Sequence, residues 1–436
     1  MNRRALPQPV CIYRVGGSVR DELLGRPGAD RDFVVVGATP EMLLASGYRP
    51  VGRDFPVFLH PDTQDEYALA RTERKHGRGY RGFEFFASPD VTLEEDLKRR
   101  DLTINAMARG DDGVLVDPFG GRADLEAGIL RHVSPAFAED PLRVLRVARF
   151  AARFDFEVAP ETEALMRDIV RSGELATLAP ERVWQEWARG LMEAHPSRML
   201  AALRRCGALE QLLPEVDALF GVARAWDGHV QVDAGVHVAL TLDCAARRGS
   251  GLQTRFALLA HDLCIDDMPA RPAPRRRQRN VRAALALAVR LRAPVECRDA
   301  VVVMARWRDS VDRAAELTPA ALLDLLLGID ALRRPERLRT LLDACAIAAI
   351  AAATQPLTGT QIDYAPANVL RDALGVVAGV DAGAVVLRLA DTEAGAPRGD
   401  AIVRAVRAAR LRALRAWRRT LTSTAAAGRS GRVRRP

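Results

Sequence analysis

The sequence lacks the long apolar run that a membrane-spanning helix requires. No stretch of about 18 consecutive apolar residues occurs in it, so we expect no membrane partner. Residues 1–10 carry charge without an apolar core, which argues against a secretory signal. Together these two absences predict a cytoplasmic protein.

Paired cysteines and internal repeats are also missing. Six cysteines are scattered along the 436 residues without a CxxC pair. This spacing argues against a zinc ribbon or a disulfide framework and is typical of a reducing compartment. No repeat has a clear period, and the length alone favours two to four domains.

Positive charge is concentrated in two segments that have no acidic residues. Residues 401–436 contain 11 arginines, and without them the net charge of +8 becomes −3 for residues 1–400. Residues 271–282, RPAPRRRQRNVR, form the second segment. Either could contact phosphates non-specifically, or an Ala/Arg-rich composition could produce such runs without a function.

Two aspartates separated by one residue, Asp30 and Asp32, begin an apolar run that predicts a β-strand. Side chains two residues apart share one face of a strand. Two carboxylates there repel each other unless a cation lies between them, and ligation by oxygen alone suits Mg²⁺. Glu66, on a later predicted strand, is our candidate for a third catalytic carboxylate. In isolation, Asp30-Arg31-Asp32 would be a turn with solvated charges.

A glycine turn, GGSVRD at 16–21, precedes these aspartates. Gly17 leads into a predicted helix with Ser18 as its cap, so backbone N–H groups would face an anion. Arg20, in the first turn, would reach a phosphate oxygen. A phosphate cradle beside metal-binding carboxylates predicts nucleotidyl transfer, in which metal ions activate a hydroxyl and stabilise the leaving pyrophosphate.

Two arginine-rich segments follow. In KRRDLTIN (98–105), Arg100 could clamp a triphosphate or ribose and Asp101 could orient it, or the segment could be a salt-bridged helix surface. In EDPLRVLRVARFAARF (139–154), arginines recur every three or four residues on one helical face, at Arg143, Arg146, Arg149 and Arg153. Asp140 and Arg143, three apart, pair an acceptor with a donor fork that can bind the Watson–Crick edge of a base. ERVWQE (181–186) is expected to stabilise the helical support.

The periodicity predicts a mixed β/α unit of about four strands in residues 1–75, a helix over 93–108, and helices almost throughout after residue 139. Joints are expected near 135–138, 221–230, 267–280 and 354–368, and disorder over 422–436.

Six motifs together resemble the bacterial class II tRNA nucleotidyltransferases, the CCA-adding enzymes: GGSVRD, DRDFVVVG, RRDLTIN, VDPFGG, EDPLRVLRVARF and ERVWQE. The similarity is close through about residue 222. It implies an α+β fold with a polymerase-β-like nucleotidyltransferase head (1–137), an all-α neck (138–222), an HD-like body (223–330) and a helical tail (331–436).

The resemblance also implies an activity, template-independent addition of the 3′-terminal CCA of tRNA from CTP and ATP. It assigns Mg²⁺ to Asp30 and Asp32. It assigns nucleotide binding to Gly17, Arg20 and Arg100, base selection to Asp140 and Arg143, and nucleotide or phosphate contacts to Arg146 and Arg149. The expected partners are tRNA, CTP and ATP, and we expect a monomer or a homodimer.

Residues 235–242 and 258–264 resemble an HD-type phosphohydrolase domain. Its minimal metal set would be His237, His261, Asp262 and Asp309. No histidine follows His261, and Cys264-Ile265 replaces the usual Gly-Lys. The set could bind one transition metal, or the domain could be degenerate and structural, which is the outcome we expect.

Two other functions compete with CCA addition. A bacterial poly(A) polymerase shares the head motifs; the His-Asp segment argues against it, whereas the arginine-rich tail weakly favours it. An RNA-binding protein with an inactive head is the second, and the intact carboxylates and Arg100 argue against it. The amphipathic helix predicted at 401–420 would be either a packed terminal helix or a contact for the tRNA elbow.

Overall fold

The computed structural model describes residues 10–26, 31–51, 57–75, 83–226, 229–264, 273–352, 364–390 and 399–430. The chain divides into two compact units, Met1–Ala218 and Leu219–Pro436. The first combines a sheet with helices and the second is almost entirely helical in its described residues. The predicted α+β class is therefore confirmed, whereas the four domain boundaries stay predictions.

Seven short strands of the first unit form one mixed sheet. The strands of this region are β1 (Cys11–Val15), β2 (Asp32–Val36), β3 (Arg49–Val51), β4 (Val57–Leu59), β5 (Glu66–Leu69), the separate antiparallel pair β6 (Arg71–Lys75) and β7 (Phe83–Ala87), β8 (Ala108–Arg109) and β9 (Leu115–Val116). The sheet order is β3-β4-β5-β2-β1-β8-β9, with β2 and β5 parallel. More strands form than the four predicted because a three-residue strand such as β3 leaves no periodic pattern.

Strand β2 is buried on both of its faces. Phe33 stacks on Tyr67 with ring centroids 4.6 Å apart in one apolar cluster. Val34 packs into the other cluster, which contains Leu97. Because side chains alternate along a strand, Asp32 projects toward the same face as Val34.

Four short helices accompany this sheet: α1 (Gly17–Leu23), α2 (Pro40–Ala45), α3 (Leu93–Lys98) and α4 (Gly121–Ala127). Gly16, and not Ser18, is the N-cap of α1, with φ of 66°. The hydroxyl of Ser18 instead donates to the carbonyl of Val15 at 3.1 Å. The prediction of Ser18 as the cap was wrong, because glycine adopts this left-handed conformation at little cost.

The helix predicted over 93–108 ends at Lys98. The carboxylate of Asp101 accepts a hydrogen bond from the N–H of Leu102 at 2.9 Å, and Leu102 is extended with φ of −127°. A side chain that bonds the next backbone N–H competes with a continuing helix. A short 3₁₀ turn, Thr103–Asn105, follows.

The remainder of the first unit surrounds the central helix α5. Its elements are β10 (Ile129–Leu130), α5 (Leu142–Phe154), β11 (Glu157–Val158), α6 (Pro160–Arg171), α7 (Pro180–Met192), α8 (Pro196–Arg205), α9 (Ala208–Leu212) and α10 (Pro214–Asp217). Four of these helices begin with proline, which suits the first helical position because its missing N–H needs no partner there. Helix α5 packs against α7 and α8.

The second unit begins with a hairpin and continues as helices. Its elements are β12 (Ala223–Trp226), β13 (His229–Asp233), α11 (Ala234–Arg247), α12 (Leu252–Leu259), α13 (Ala273–Arg290), α14 (Val295–Asp312), α15 (Pro319–Gly328), α16 (Pro335–Ala352), α17 (Ala365–Ala378), α18 (Ala382–Ala390) and α19 (Gly399–Ser430).

Four features of this unit differ from the prediction. The expected joint at 221–230 includes most of the hairpin. Helix α13 begins at Ala273, inside the joint expected at 267–280, because a proline as its second residue is compatible with a first turn. Helix α17 begins at Ala365, inside the joint expected at 354–368. Helix α19 continues to Ser430, where disorder was expected, since an alanine-rich sequence favours helix. Residues 265–272, 353–363 and 431–436 lie outside the described residues.

No single described helix is both long and apolar enough to cross a membrane. The pair α17 and α18, bent by 41°, meets the length and composition test when taken together.

Candidate active site

Residues from the sheet region, α5 and α7 line one cavity of about 480 Å³ in the first unit. The lining residues are Gly16, Gly17, Arg20, Asp32, Arg99, Arg100, Asp101, Asn105, Asp140, Leu142, Arg143, Arg146, Arg149, Phe150, Arg153 and Arg182. Eight of the ten predicted site residues are among them: Gly17, Arg20, Asp32, Arg100, Asp140, Arg143, Arg146 and Arg149. Segments more than a hundred residues apart in sequence therefore meet at one site.

The charge of this lining is strongly positive. Eight arginines face three aspartates around the cavity. Clustered charge of one sign in a cleft concentrates ligands of the opposite sign. The cavity is therefore suited to a polyanionic ligand.

The acidic edge of the cavity is formed by the sheet. Asp32 is exposed, and it lies in register with Glu66 on the neighbouring parallel strand β5, so both side chains leave the same face. Glu66 is not part of the cavity lining, and Asp30 lies outside the described residues. The described part of the chain contains no cluster of three or more His, Cys, Asp or Glu that could hold a metal. Two carboxylates in register nevertheless supply the oxygen ligands that a hard divalent cation prefers.

Arg20 is buried at the head of α1. Its guanidinium donates to the side-chain oxygen of Asn105 and, from Nε at 2.8 Å, to Asp21. It also lies over the rings of Phe150 and Phe154, at 5.3 and 4.9 Å from their centroids. Burial lowers the pKa of Arg20 and the charge of Asp21 opposes this effect. Arg20 therefore joins the glycine turn to α5 as well as lining the cavity.

Arg100 is oriented by Asp96, and not by Asp101 as predicted. The Asp96 carboxylate is fully buried and accepts from Arg100 Nη2 at 3.3 Å and from Arg99 Nη2 at 2.7 Å. Burial alone would raise the pKa of Asp96, but the two guanidinium groups hold it below its ordinary value. Gly16 makes room for Arg100, since an added Cβ there would lie 2.7 Å from Arg100 Nη1.

Asp101 instead binds Arg146 of α5. Arg146 donates to Asp101 Oδ2 from Nε at 2.8 Å and from Nη2 at 2.7 Å, and Asn105 donates to Oδ1 at 2.9 Å. Burial would raise the pKa of Asp101, but the charge of Arg146 and these hydrogen bonds hold it well below its ordinary value. The predicted orienting carboxylate thus fixes a different arginine.

The predicted row of arginines on α5 is present, but each is tied to a neighbour. Arg143 donates to the backbone carbonyls of Ala136 at 3.0 Å and Arg99 at 2.7 Å. Arg149 donates to Glu186 of α7 at 2.7 Å. These bonds attach α5 to the segment before it and to the ERVWQE segment, which supports the predicted structural role of that segment.

Asp140 has Arg182 as its charged partner, whereas Arg143, which was expected to project beside Asp140, donates to backbone carbonyls. One carboxylate oxygen accepts from the N–H of Leu142 at 3.0 Å, at the start of α5. The other accepts from Arg182 Nη2 at 3.2 Å. An acceptor and a donor fork therefore stand side by side on the cavity wall: Asp140 lies just before α5, and Arg182 lies on α7.

Sequence reasoning missed several lining residues: Gly16, Arg99, Asn105, Leu142, Phe150, Arg153 and Arg182. Arg182 had a signal, because ERVWQE repeats the acid–arginine pattern of EDPLR. Asn105 closes the RRDLTIN motif, but nothing in its spacing indicates its bond to Arg20.

The HD-like residues of the second unit do not assemble into a metal site in the described part of the chain. His237 and His261 are buried, with ring centroids 6.0 Å apart. Asp262 binds Arg308 at 3.0 Å, and Asp309 is partly exposed with Arg276 at 3.8 Å. Asp309 is therefore not a member of the His–Asp cluster.

Two family models match the first unit. The model described as the Poly A polymerase head domain matches residues 12–131. The model described as the probable RNA and SrmB-binding site of polymerase A matches residues 155–220. Their division of the sequence separates the sheet region from the helices that follow α5.

Curated relatives match most of the chain. The multifunctional CCA protein of Dechloromonas aromatica is 57% identical over 384 residues, which cover 87% of this chain and 92% of that protein. The multifunctional CCA protein of Paraburkholderia phytofirmans is 56% identical over 394 residues, which cover 88% and 95%.

Solved structures share the fold at lower identity. The Bacillus stearothermophilus CCA-adding enzyme in complex with CTP is 22% identical, with a TM-score of 0.62 and coverage of 95% of both chains. The Thermotoga maritima CCA-adding enzyme complexed with tRNA is 20% identical, with a TM-score of 0.59 and coverage of 93% of this chain and 87% of that one.

Proposed function

This chain belongs to the family of multifunctional CCA proteins, and from that premise we propose that it adds the 3′-terminal CCA to tRNA from CTP and ATP. The observation that carries the proposal is the arginine-rich cavity of the first unit, which joins the acidic sheet edge to the Asp140–Arg182 pair. A nucleoside triphosphate has the two chemistries that these ends would recognise, a polyphosphate and a base.

The family implies a divalent metal, and we propose Mg²⁺. Asp32 and Glu66 offer hard oxygen ligands in register, and Asp30 would complete the set. Bound there, the ion would activate the tRNA 3′-hydroxyl and stabilise the charge that develops on the leaving pyrophosphate. Arg20, Arg100 and Gly17 would hold the triphosphate, because a guanidinium fork matches phosphate oxygens.

Base choice would come from Asp140 with an arginine donor. C and A each present an exocyclic amine beside a ring nitrogen that accepts a hydrogen bond. The Asp140 carboxylate would accept from the amine, and Arg182 or Arg143 would donate to the ring nitrogen. G and U present the opposite polarity, so no nucleic-acid template is required. Arg146 and Arg149 would contact the nucleotide or its phosphates.

The two competing functions have less support. The relatives that match over 87% or more of the chain are multifunctional CCA proteins, whereas the polymerase description covers the head alone. Asp32, Glu66 and Arg100 are all present, which argues against an inactive RNA-binding protein. We further propose that the enzyme acts in the cytoplasm, since none of the six cysteines forms a disulfide. Whether it is a monomer or a homodimer stays a prediction.

The test uses purified protein, a tRNA that lacks its 3′ CCA, and each nucleoside triphosphate separately with Mg²⁺. We expect two residues from CTP alone, one more when ATP follows, and none from GTP or UTP. Long A tracts without use of CTP would identify a poly(A) polymerase instead. Binding of tRNA without any addition would identify an inactive RNA-binding protein.

A further inference from the structure

An arginine lies where the HD-like residues of the second unit would bind a cation. Arg308, on α14, donates from Nη1 to Asp262 Oδ2 at 3.0 Å, and its side chain is only 6% exposed. Its Nε lies 3.8 Å from Asp312 one turn later on the same helix. The charge of this buried guanidinium is therefore balanced by two carboxylates of the protein itself.

The other oxygen of Asp262 and one nitrogen of the His261 ring also have protein partners. Asn280 Nδ2 donates to Asp262 Oδ1 at 3.2 Å and to the carbonyl of His261 at 3.1 Å. The Nδ1 atom of His261 lies 2.6 Å from the carbonyl of Leu258, so this nitrogen carries the hydrogen. The Nε2 atom faces Asp262 at 3.9 Å. This tautomer and ring orientation are those of a metal ligand, yet the adjacent position is held by Arg308.

The residues present therefore do not fit a metal. A divalent cation at Asp262 would lie beside the positively charged guanidinium of Arg308, and like charges at short distance repel. The fourth member of the predicted set, Asp309, is 42% exposed and lies 3.8 Å from Arg276. Two imidazoles and one carboxylate whose oxygens are already bonded do not make a site for a transition metal.

We propose that Arg308 has replaced the metal as the permanent counter-ion of Asp262, so that the second unit is stable without metal and does not hydrolyse phosphoesters. A guanidinium balances the carboxylate charge but has no open coordination position, and it does not lower the pKa of a water as a metal ion does. The second unit keeps the His–Asp geometry as a packed polar cluster. This proposal is independent of nucleotide addition by the first unit.

The first experiment measures metal in the Asp32→Ala variant, which removes the metal-binding carboxylate of the first unit. The protein is incubated with Ni²⁺ or Mn²⁺, passed through a desalting column and assayed for bound metal. We expect far less than one ion per chain, and the same melting temperature with and without a chelator. Near-stoichiometric metal that is lost when His261→Ala is added would overturn the proposal, and so would turnover of a 2′,3′-cyclic nucleotide with Ni²⁺.

The second experiment tests the replacement itself. Arg308→Met removes the charge and keeps most of the volume, whereas Arg308→Lys keeps the charge. We expect Arg308→Met to lower the melting temperature more than Arg308→Lys, and the loss to shrink when Asp262→Asn is combined with it. Equal melting temperatures for the unaltered protein, Arg308→Met and Arg308→Lys would overturn the role of Arg308 as counter-ion. If Arg308→Met fails to fold, the metal measurement on the unaltered site still decides the proposal.

Discussion

Two arginine–aspartate clusters in this molecule differ in how their charges balance. Around the cavity of the first unit eight arginines face three aspartates, and the space between them is open. In the second unit Arg308 lies against Asp262 and Asp312, and little of its side chain is exposed. Where arginines outnumber aspartates, positive charge is available for a polyanionic ligand. Where an arginine is balanced by aspartates, the same residue types hold neighbouring segments together.

The largest expected effect comes from the acidic edge of the open cluster. Asp32→Ala removes a carboxylate that we propose as a metal ligand. Because a bound metal ion supplies several kcal/mol of transition-state stabilisation, CCA addition should fall by about 10³-fold. The measurement is single-turnover addition to tRNA, with tRNA affinity measured in parallel and expected to stay unchanged. Asp168→Ala, an exposed carboxylate on α6, is the control and should react like the unaltered enzyme. Unchanged addition by Asp32→Ala would remove the metal argument.

The ion pair between Arg149 and Glu186 tests whether a balanced charge pair stabilises the fold. Glu186 is buried and accepts from Arg149 at 2.7 Å. Glu186→Gln removes the nearer of the two counter-charges of Arg149 and leaves Glu193 at 3.6 Å. The free energy of unfolding should therefore fall by about 2 kcal/mol, as for the loss of a hydrogen bond between charged groups. Urea denaturation measures it. As the control, Arg171→Ala removes an exposed arginine and should lower the free energy of unfolding by less than about 0.5 kcal/mol. A similarly small loss for Glu186→Gln would contradict a stabilising role of the Arg149–Glu186 pair.

Arg182 lines the cavity and also bonds Asp140. Its substitution therefore distinguishes a role in nucleotide binding from a purely structural role. Arg182→Met should lower kcat/KM for CTP by about 30-fold, equivalent to about 2 kcal/mol for a hydrogen bond to a charged group, and should weaken discrimination against UTP. Steady-state kinetics with each triphosphate measures both effects. Arg189→Met on the same helix, where the side chain is 64% exposed, is the control. Equal losses for CTP and UTP would assign Arg182 to structure alone.

Acid should weaken the ion pair between Asp101 and Arg146 at the cavity. The pKa of Asp101 is lowered in the folded protein, so its contribution to stability is present above the unfolded value of about 3.9 and is lost as the pH falls below it. The free energy of unfolding should therefore decrease between about pH 5 and pH 2, and Asp101→Asn should reduce this decrease by on the order of 1 kcal/mol. Denaturant titrations across this range provide the measurement. An unchanged slope in Asp101→Asn would show that other carboxylates dominate.

Much of the site followed from local sequence pattern. The spacing of Arg143, Arg146 and Arg149 predicts one helical face, and α5 presents them together along the cavity. The start of α2 follows from the same kind of local pattern, since the Thr39 side chain accepts from the N–H of Met42 and Pro40 takes the first helical position. These features depend on residues a few positions apart, where helix geometry fixes the outcome.

Partner choice was less predictable because it depends on contacts far along the chain. Asp101 is next to Arg100 in sequence but binds Arg146, and Asp140 is three residues from Arg143 but binds Arg182. Any of several arginines satisfies such a carboxylate, and packing of the helices decides which one comes within reach. The same reasoning explains Asp262, whose partner Arg308 lies 46 residues later.

The glycine at the head of α1 restricts how this sequence can change over evolutionary time. At position 16 every other residue brings a Cβ into contact with the Arg100 guanidinium and also strains a backbone with φ of 66°. At position 17 the added Cβ would lie 3.4 Å from Arg20, an ordinary contact. Two adjacent glycines are therefore constrained for different reasons: packing and backbone conformation hold position 16 at glycine, whereas position 17 is constrained by its proposed contact with the triphosphate.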